Sequence, residues 1–286
     1  MWKILRLAFA ALFVAGAAHA QPPVWVVRDA DSEMVLFGSI HVLPPGLKWT
    51  PPVVAKALKQ ADDIWFELPM DPGTELEVAQ LAVQNGLLPA NQTLSSLLGP
   101  GDAGRLSRMA ETYGASMALL DRLEPWFAEV ALATAYYRKA GGDPELGVEK
   151  ALAAIAAPNA RRKAFETPAE QISLFDSAPM DEQIASLDET IEDMEKRPNQ
   201  YADLIRAWMS GDVKAINKES LQPLREASPA LFKRLLTDRN GRWMKVLRER
   251  MAGSGRTVVV VGVGHLVGED GLPAQLRALG YSVEGP

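Results

Sequence analysis

The sequence predicts an α/β fold: a central, mostly parallel sheet formed by N- and C-terminal βαβ units, with a large helical insertion in the middle. Three observations predict it. Near each end of the chain an apolar run, a helical pattern and a second apolar run follow one another. The long middle is dominated by Ala, Leu, Glu, Lys and Arg at helical spacing. The apolar runs at both ends leave through glycine-containing turns, as strands do.

Taken in order, Lys3 and Arg6 precede an apolar run from Leu7 to Val14, which leads to Ala18-His19-Ala20. This is the form of a secretory signal peptide. The run is too short for a membrane span, which needs about 20 apolar residues. Residues 1–20 are therefore expected to be removed, leaving 21–286 as one domain, periplasmic or secreted and without a transmembrane segment. Val24-Trp25-Val26-Val27 and Met34-Val35-Leu36-Phe37 flank a polar stretch and read as two strands joined by a tight connection. The second leads into Gly38-Ser39-Ile40-His41. Thr50-Pro51-Pro52 opens a helix carrying Val54, Ala57, Leu58 and Ala61 on one face. Ile64-Trp65-Phe66 then reads as a short buried strand ending at Glu67-Leu68-Pro69. Strand, helix, strand makes a βαβ unit, whose parallel strands end on the same sheet edge. His41 and Glu67 sit just past those two ends.

The helical insertion spans approximately 74–251, with breaks at Gly99-Pro100-Gly101, Gly141-Gly142-Asp143-Pro144 and Pro198-Asn199. Within it, Lys163-Ala164-Phe165-Glu166 is a strand candidate, and Thr167-Pro168-Ala169-Glu170 is a capping box that starts a helix. Glu166 thus lies at a strand-to-helix junction. Ser228-Pro229 opens a further helix that carries Arg239, Asn240 and Trp243. At the C-terminus, Thr257 to Val261 is a continuous apolar run suited to a strand buried on both faces. It leads into Gly262-Val263-Gly264-His265. A helix over Leu272 to Leu279, stopped by Gly280, and a strand at Tyr281-Ser282-Val283 complete the second βαβ-like unit.

Composition excludes several chemistries. The chain has 286 residues, no cysteine and three histidines, so zinc ribbons, thiol nucleophiles and disulfide frameworks are ruled out. An apolar fraction of 48% and a charged fraction of 23% fit a globular chain with a substantial core. A net charge of −6 without a basic stripe argues against nucleic acid as a partner. There is no G-x-S-x-G elbow, P-loop or H-E-x-x-H, and the glycines around Gly262 miss the dinucleotide fingerprint.

Loss of the leader would remove His19 and leave His41 and His265, both in G-x-x-H segments opened by Gly38 and Gly262. Ligands in open α/β sheets bind beyond the carboxyl ends of strands, which is where both imidazoles fall. Two neutral imidazoles and the Glu67 carboxylate can hold a divalent transition metal (Mn, Co or Zn), which would activate water. Against this stands the plainer reading of each histidine as a hydrogen-bonded loop residue. Glu149 and Glu166 are acids at helix starts, favoured there by the dipole whatever the chemistry. Arg239 and Asn240 read by default as a solvated face or an inter-helix contact. Ser39 is a poor candidate for a nucleophile paired with His41.

Six segments in this order resemble the TraB/GumN family, which is related to the Tiki extracellular metalloproteases and, more widely, to erythromycin esterase-like and ChaN-like proteins. They are Leu36-Phe37-Gly38-Ser39-Ile40-His41, Phe66-Glu67-Leu68, Gly147-Val148-Glu149, Phe165-Glu166-Thr167 with Glu170-Gln171, Arg239-Asn240 with Trp243-Met244, and Val261-Gly262-Val263-Gly264-His265-Leu266. Asp238 departs from the glutamate expected before the Arg-Asn pair, which touches only a supporting role for that position. The Tiki branch implies metal-dependent peptide hydrolysis by two G-x-x-H histidines and a glutamate, carried here onto His41, His265 and Glu67. The expectation is therefore a metal-dependent, peptidase-like hydrolase of a peptide or small-molecule substrate. His41 and His265 would bind metal, Glu67 would be ligand or general base, and Glu149, Glu166, Arg239 and Asn240 would line or orient the site. Two alternatives stand beside it: a metal-independent esterase-like hydrolase with histidine as general base, and a non-catalytic peptide- or saccharide-binding protein.

Overall fold

The computed structural model describes residues 21–286, so the expected leader lies outside the described residues. Strands β1 (Val24–Arg28), β2 (Ser32–Ser39), β3 (Asp63–Phe66), β4 (Arg161–Ala164), β5 (Gly255–Gly262) and β6 (Ser282–Glu284) form one sheet. Their order is β4-β3-β5-β2-β1-β6. β1 runs antiparallel to both neighbours, whereas β2, β3, β4 and β5 pair in parallel. The fold is α/β with a largely parallel sheet, as the two terminal strand groups predict.

One detail of the connections differs from the simplest reading. α1 (Pro52–Gln60) joins β2 to β3, but these strands are not neighbours, because β5 lies between them. The reason is burial. Val258, Val259, Val260 and Val261 are all essentially inaccessible, and an all-apolar run belongs where both faces are covered. In the same way α14 (Leu272–Ala278) carries the chain from β5 past β2 and β1 to the far edge.

The helical insertion comes in two blocks separated by β4. The first holds α2 (Pro72–Asn85), α3 (Leu94–Tyr113), α4 (Met117–Leu120), α5 (Pro125–Lys139) and α6 (Val148–Ile155). The second holds α7 (Pro168–Asp176), α8 (Met180–Lys196), α9 (Gln200–Ser210), α10 (Val213–Ile216), α11 (Gln222–Ala227), α12 (Pro229–Phe232) and α13 (Asp238–Met251). Thr167 and Glu170 form the expected capping box of α7. The break expected at Gly99 is a kink within α3, where Gly99 takes φ 78° and the helix resumes. No helix among the described residues is long and apolar enough to cross a membrane.

Sheet and helices share one apolar core. Trp208 of α9 shows how the two are tied. It packs against Phe37 and Trp49, with ring centroids 6.1 and 5.8 Å away, and its Nε1–H donates to Gly38 O at 2.9 Å. That bond anchors the end of β2 just before His41.

At the opposite edge of the sheet Asp63 is fully buried at the start of β3. It accepts from Thr257 Oγ1 (2.9 Å), Trp65 Nε1 (3.0 Å), Arg250 Nε (2.9 Å) and Arg161 (3.1 Å). Burial pushes its carboxyl up, but those donors outweigh it and hold the pKa below the ordinary value. Asp63→Ala strands the largely buried Arg250 charge and is expected to cost about 3–5 kcal/mol in urea unfolding. A loss under 1 kcal/mol would show that the cluster is not a joint between β3, β5 and α13.

Candidate functional site

The parallel topology brings the carboxyl ends of four strands to one edge. His41 follows β2, Glu67 follows β3, Glu166 follows β4, and β5 ends at Gly262 before the turn Val263–His265. Parallel pairing carries on past the strands, with Glu166 N–H donating to Glu67 O at 2.9 Å. Two glycines let these segments close. A Cβ on Gly147 would lie 2.4 Å from His41 O, so only glycine admits the loop holding His41 against the start of α6. A Cβ on Gly262 would lie 3.2 Å from Glu67 Oε1, 3.8 Å from His265 Cδ2 and 4.0 Å from His41 Nε2. Both histidines and Glu67 therefore converge beside Gly262. Gly38 serves packing, since a Cβ there would meet Val263 Cγ2 at 2.7 Å.

Arg239, buried at the start of α13, is the hub. A guanidinium has five N–H donors, and every one is taken. Nε donates to Glu166 Oε1 (2.8 Å), and one terminal nitrogen donates to Glu166 Oε2 (2.8 Å) and Glu67 Oε2 (2.5 Å). The other donates to Leu235 O (3.1 Å) and lies 3.0 Å from His265 Nε2. Trp243 supports the pair from below, donating to Glu166 Oε1 at 3.2 Å with its ring 4.7 Å from the Arg239 guanidinium carbon. Arg242 adds a further contact to Glu166 at 3.3 Å.

The same arginine fixes the state of His265. Arginine only donates, so His265 Nε2 is the acceptor and its proton sits on Nδ1, facing Asn240 Oδ1 at 2.7 Å. Asn240 in turn donates to His265 O (3.3 Å) and Asp270 O (2.9 Å), which orients its amide. Burial, and then the Arg239 charge, push His265 down to about 3, so the ring is neutral. For Glu67, burial works upward, but the Arg239 charge, His41 and the Gly262 N–H (2.7 Å to Oε1) outweigh it and hold the carboxyl below its ordinary value.

His41 is placed differently. Its Nδ1 lies 2.7 Å from Glu149 Oε1 at the start of α6, and Ser39 Oγ donates to the same oxygen at 2.5 Å. The chain around it is pinned by Val148 N–H to Ile40 O (3.1 Å) and by Tyr201 to Val42 O (3.1 Å). The imidazole is 68% exposed and opens onto a cleft of about 590 Å³. Glu149 raises its pKa to about 9, against the more distant Arg239. Solvent at the open face screens the pair on one side only.

The TraB/PrgY/gumN family model matches residues 23–285. The chain belongs to that family. It is 25% identical over 280 residues to the Uncharacterized protein YbaP of Escherichia coli (strain K12), covering 97% of each chain, and likewise to YbaP of Shigella flexneri. An Uncharacterized protein of Treponema pallidum (strain Nichols) is 23% identical over 269 residues, 88% of this chain and 79% of that one. No solved structure gives a significant match.

In this TraB/PrgY/gumN chain the metal expectation is overturned. Among the described residues no group of three or more His, Cys, Asp or Glu side chains could hold a metal ion. Arg239 is the physical reason: its charge already neutralises Glu67, and it takes the Nε2 lone pair that His265 would need for ligation. His41 and His265 converge, but only one of them has a free ring nitrogen. The Mn, Co or Zn site on His41, His265 and Glu67 falls, and the metal-dependent peptidase reading falls with it.

The structure brings Glu149, Glu166, Arg239 and Asn240 to the site, Arg239 and Asn240 in buried positions rather than on a solvated face. Asp238 points away and pairs with Lys233. Sequence reasoning missed three partners. Ser39 is a buried donor to Glu149, Trp243 stacks 4.3 Å from the His265 ring centroid, and Gln171 of α7 reaches toward Glu67 at 3.5 Å. Each lies inside one of the six recognised segments, which was the available signal.

Arg239→Met keeps the stem and removes every donor, leaving the buried Glu67 carboxyl without its arginine and Glu166 with only the half-exposed Arg242. It is expected to cost about 3–5 kcal/mol in urea unfolding. Arg239→Lys should recover only part of this, because an ammonium lacks the planar fork. Full recovery by lysine would contradict the five-donor assignment.

Proposed function

We propose that this chain is a metal-independent hydrolase of carboxylic esters in which His41 is the general base. One observation carries the reading: the Glu149–His41 pair, with Nδ1 held by a largely buried carboxylate and Nε2 open to the cleft. A third group orients the carboxylate, since Ser39 donates to it from the end of β2. The other candidate bases are occupied. Both oxygens of Glu67 accept hydrogen bonds, and a carboxyl held below its ordinary pKa is a feeble base at neutral pH. His265 has given its lone pair to Arg239.

In the proposed reaction Nε2 of neutral His41 takes a proton from water as the oxygen adds to the ester carbonyl. Glu149 stabilises the imidazolium that forms. The carbon–oxygen bond to the leaving group then breaks, and the imidazolium returns its proton to the departing alcohol. Acid and alcohol are the products, and His41 is restored. Gln171 faces the same cleft with an amide donor for the carbonyl oxygen. The N-terminal Lys3, Arg6 and apolar run support action in the periplasm or outside the cell.

Hydrolysis of p-nitrophenyl acetate by the purified chain is expected to persist in the presence of a chelator. It should fall at least about 100-fold in His41→Ala. A chelator-sensitive rate, or an unchanged rate in the variant, would overturn the assignment.

The pH profile carries a second test. Because Glu149 raises His41 to about 9, the ring is mostly protonated at neutral pH, and the base form grows as pH rises. The value of kcat/KM should therefore climb with pH to a plateau above about 9. Glu149→Gln removes the charge that raises the pKa, so its ascending limb should move to lower pH and its plateau should drop. A limb that stays in place would separate His41 from the pH dependence.

A further inference from the structure

We propose that the substrate's acyl group is an extended apolar chain, seated along the wall of the cleft that leads away from His41. This rests on the ester-hydrolase reading and names its substrate class. The cleft is chemically one-sided. His41, Glu149, Glu67, Arg239 and Gln171 gather where the strands end, and the other polar groups, Glu75 and Lys150, pair with each other at the rim. The remaining wall is built from Leu68 and Met70 just after β3, Val78 of α2, and Leu174 and Phe175 of α7. α2 and α7 pack together, so these side chains form one continuous wall.

The charges beside that wall, Glu75 and Lys150, are spent on each other. Lys150 is the cationic side chain at the rim, and it is held by Glu75 at 2.8 Å and Glu145 at 2.9 Å. Arg239 reaches the cleft with no donor to spare. An anionic or sugar-like acyl portion would therefore leave water for a surface of Phe, Leu, Val and Met with few polar partners, at a cost of at least 1–3 kcal/mol for each group left unpaired. A peptide backbone faces the same difficulty, since its N–H and C=O groups would go unmet along the wall. An alkyl chain needs no partner and gains from each methylene removed from water. The cleft's size, about 590 Å³, is in the range that encloses a small-molecule ligand.

The experiment measures kcat/KM for p-nitrophenyl acetate, butyrate, hexanoate and octanoate, with titration of sodium acetate and sodium octanoate into the same protein. Expected is a rise approaching about fourfold per added methylene, and binding of octanoate but not acetate. In Val78→Trp, which fills the wall, the optimum should move to shorter esters, and a retained slope would overturn the proposal. Equal rates for all four esters would overturn the acyl proposal while leaving the hydrolase reading standing. Faster turnover of a peptide p-nitroanilide than of octanoate ester would also overturn it. If no ester is turned over, the hydrolase reading fails, and octanoate binding then decides the acyl site alone, including in His41→Ala.

Discussion

The site depends on one guanidinium. Arg239 reaches under the carboxyl ends of β3, β4 and β5 and distributes five N–H groups among Glu67, Glu166, His265 and Leu235. Bringing a cation and two carboxylates out of water is expensive, and the arrangement stands only because nearly every lone pair and proton has a partner. Its consequences spread outward. Glu67 stays ionised and is locked to the Gly262 amide, His265 is held neutral in one tautomer, and Asn240 is oriented by the ring it faces. Strand ends that would otherwise repel one another through their acids are drawn to a common cation. The charge that a divalent metal would have supplied is supplied by the chain.

Much of this was legible in the sequence. The βαβ logic near the N-terminus placed His41 and Glu67 on one sheet edge, because parallel strands must end together, and the strand-end rule put His265 with them, whereas Glu166 could be placed only at a strand-to-helix junction. The valine run at 258–261 foretold a strand covered on both faces, although its insertion between β2 and β3 was not foreseen. What could not be read was the direction of side chains arriving from distant helices. Arg239 is separated from Glu67 by 172 positions, and a basic residue on a helix looks the same whether it meets solvent or a buried acid. A pair of histidines and a glutamate at strand ends is compatible with a metal or with an arginine. Only the position of the cation tells them apart.

Glu149 illustrates the same limit from the other side. Its place in the first turn of α6 is accounted for by the helix dipole alone, and that was the plain reading. Yet Gly147, two residues earlier, is required by the approach of His41 O, and this approach delivers Glu149 to Nδ1. A glycine two residues before a helix-start acid was the local trace of a tertiary contact. Ser39 left a similar trace, being a small polar residue in a strand whose neighbours are apolar and buried.

The two G-x-x-H segments look alike in sequence and end in opposite chemical states. His265 is enclosed, faces a fixed cation and lies near 3, whereas His41 faces a carboxylate, opens to the cleft and lies near 9. Where environments push like groups this far apart, their tasks differ as well. A neutral imidazole that cannot gain a proton serves as a relay of position, holding Asn240 and the turn after β5. An imidazole that gains and loses a proton in contact with the cleft can move one to and from a substrate. That division favours His41 as the reacting residue and His265 as its support, and it follows from which histidine Arg239 reaches.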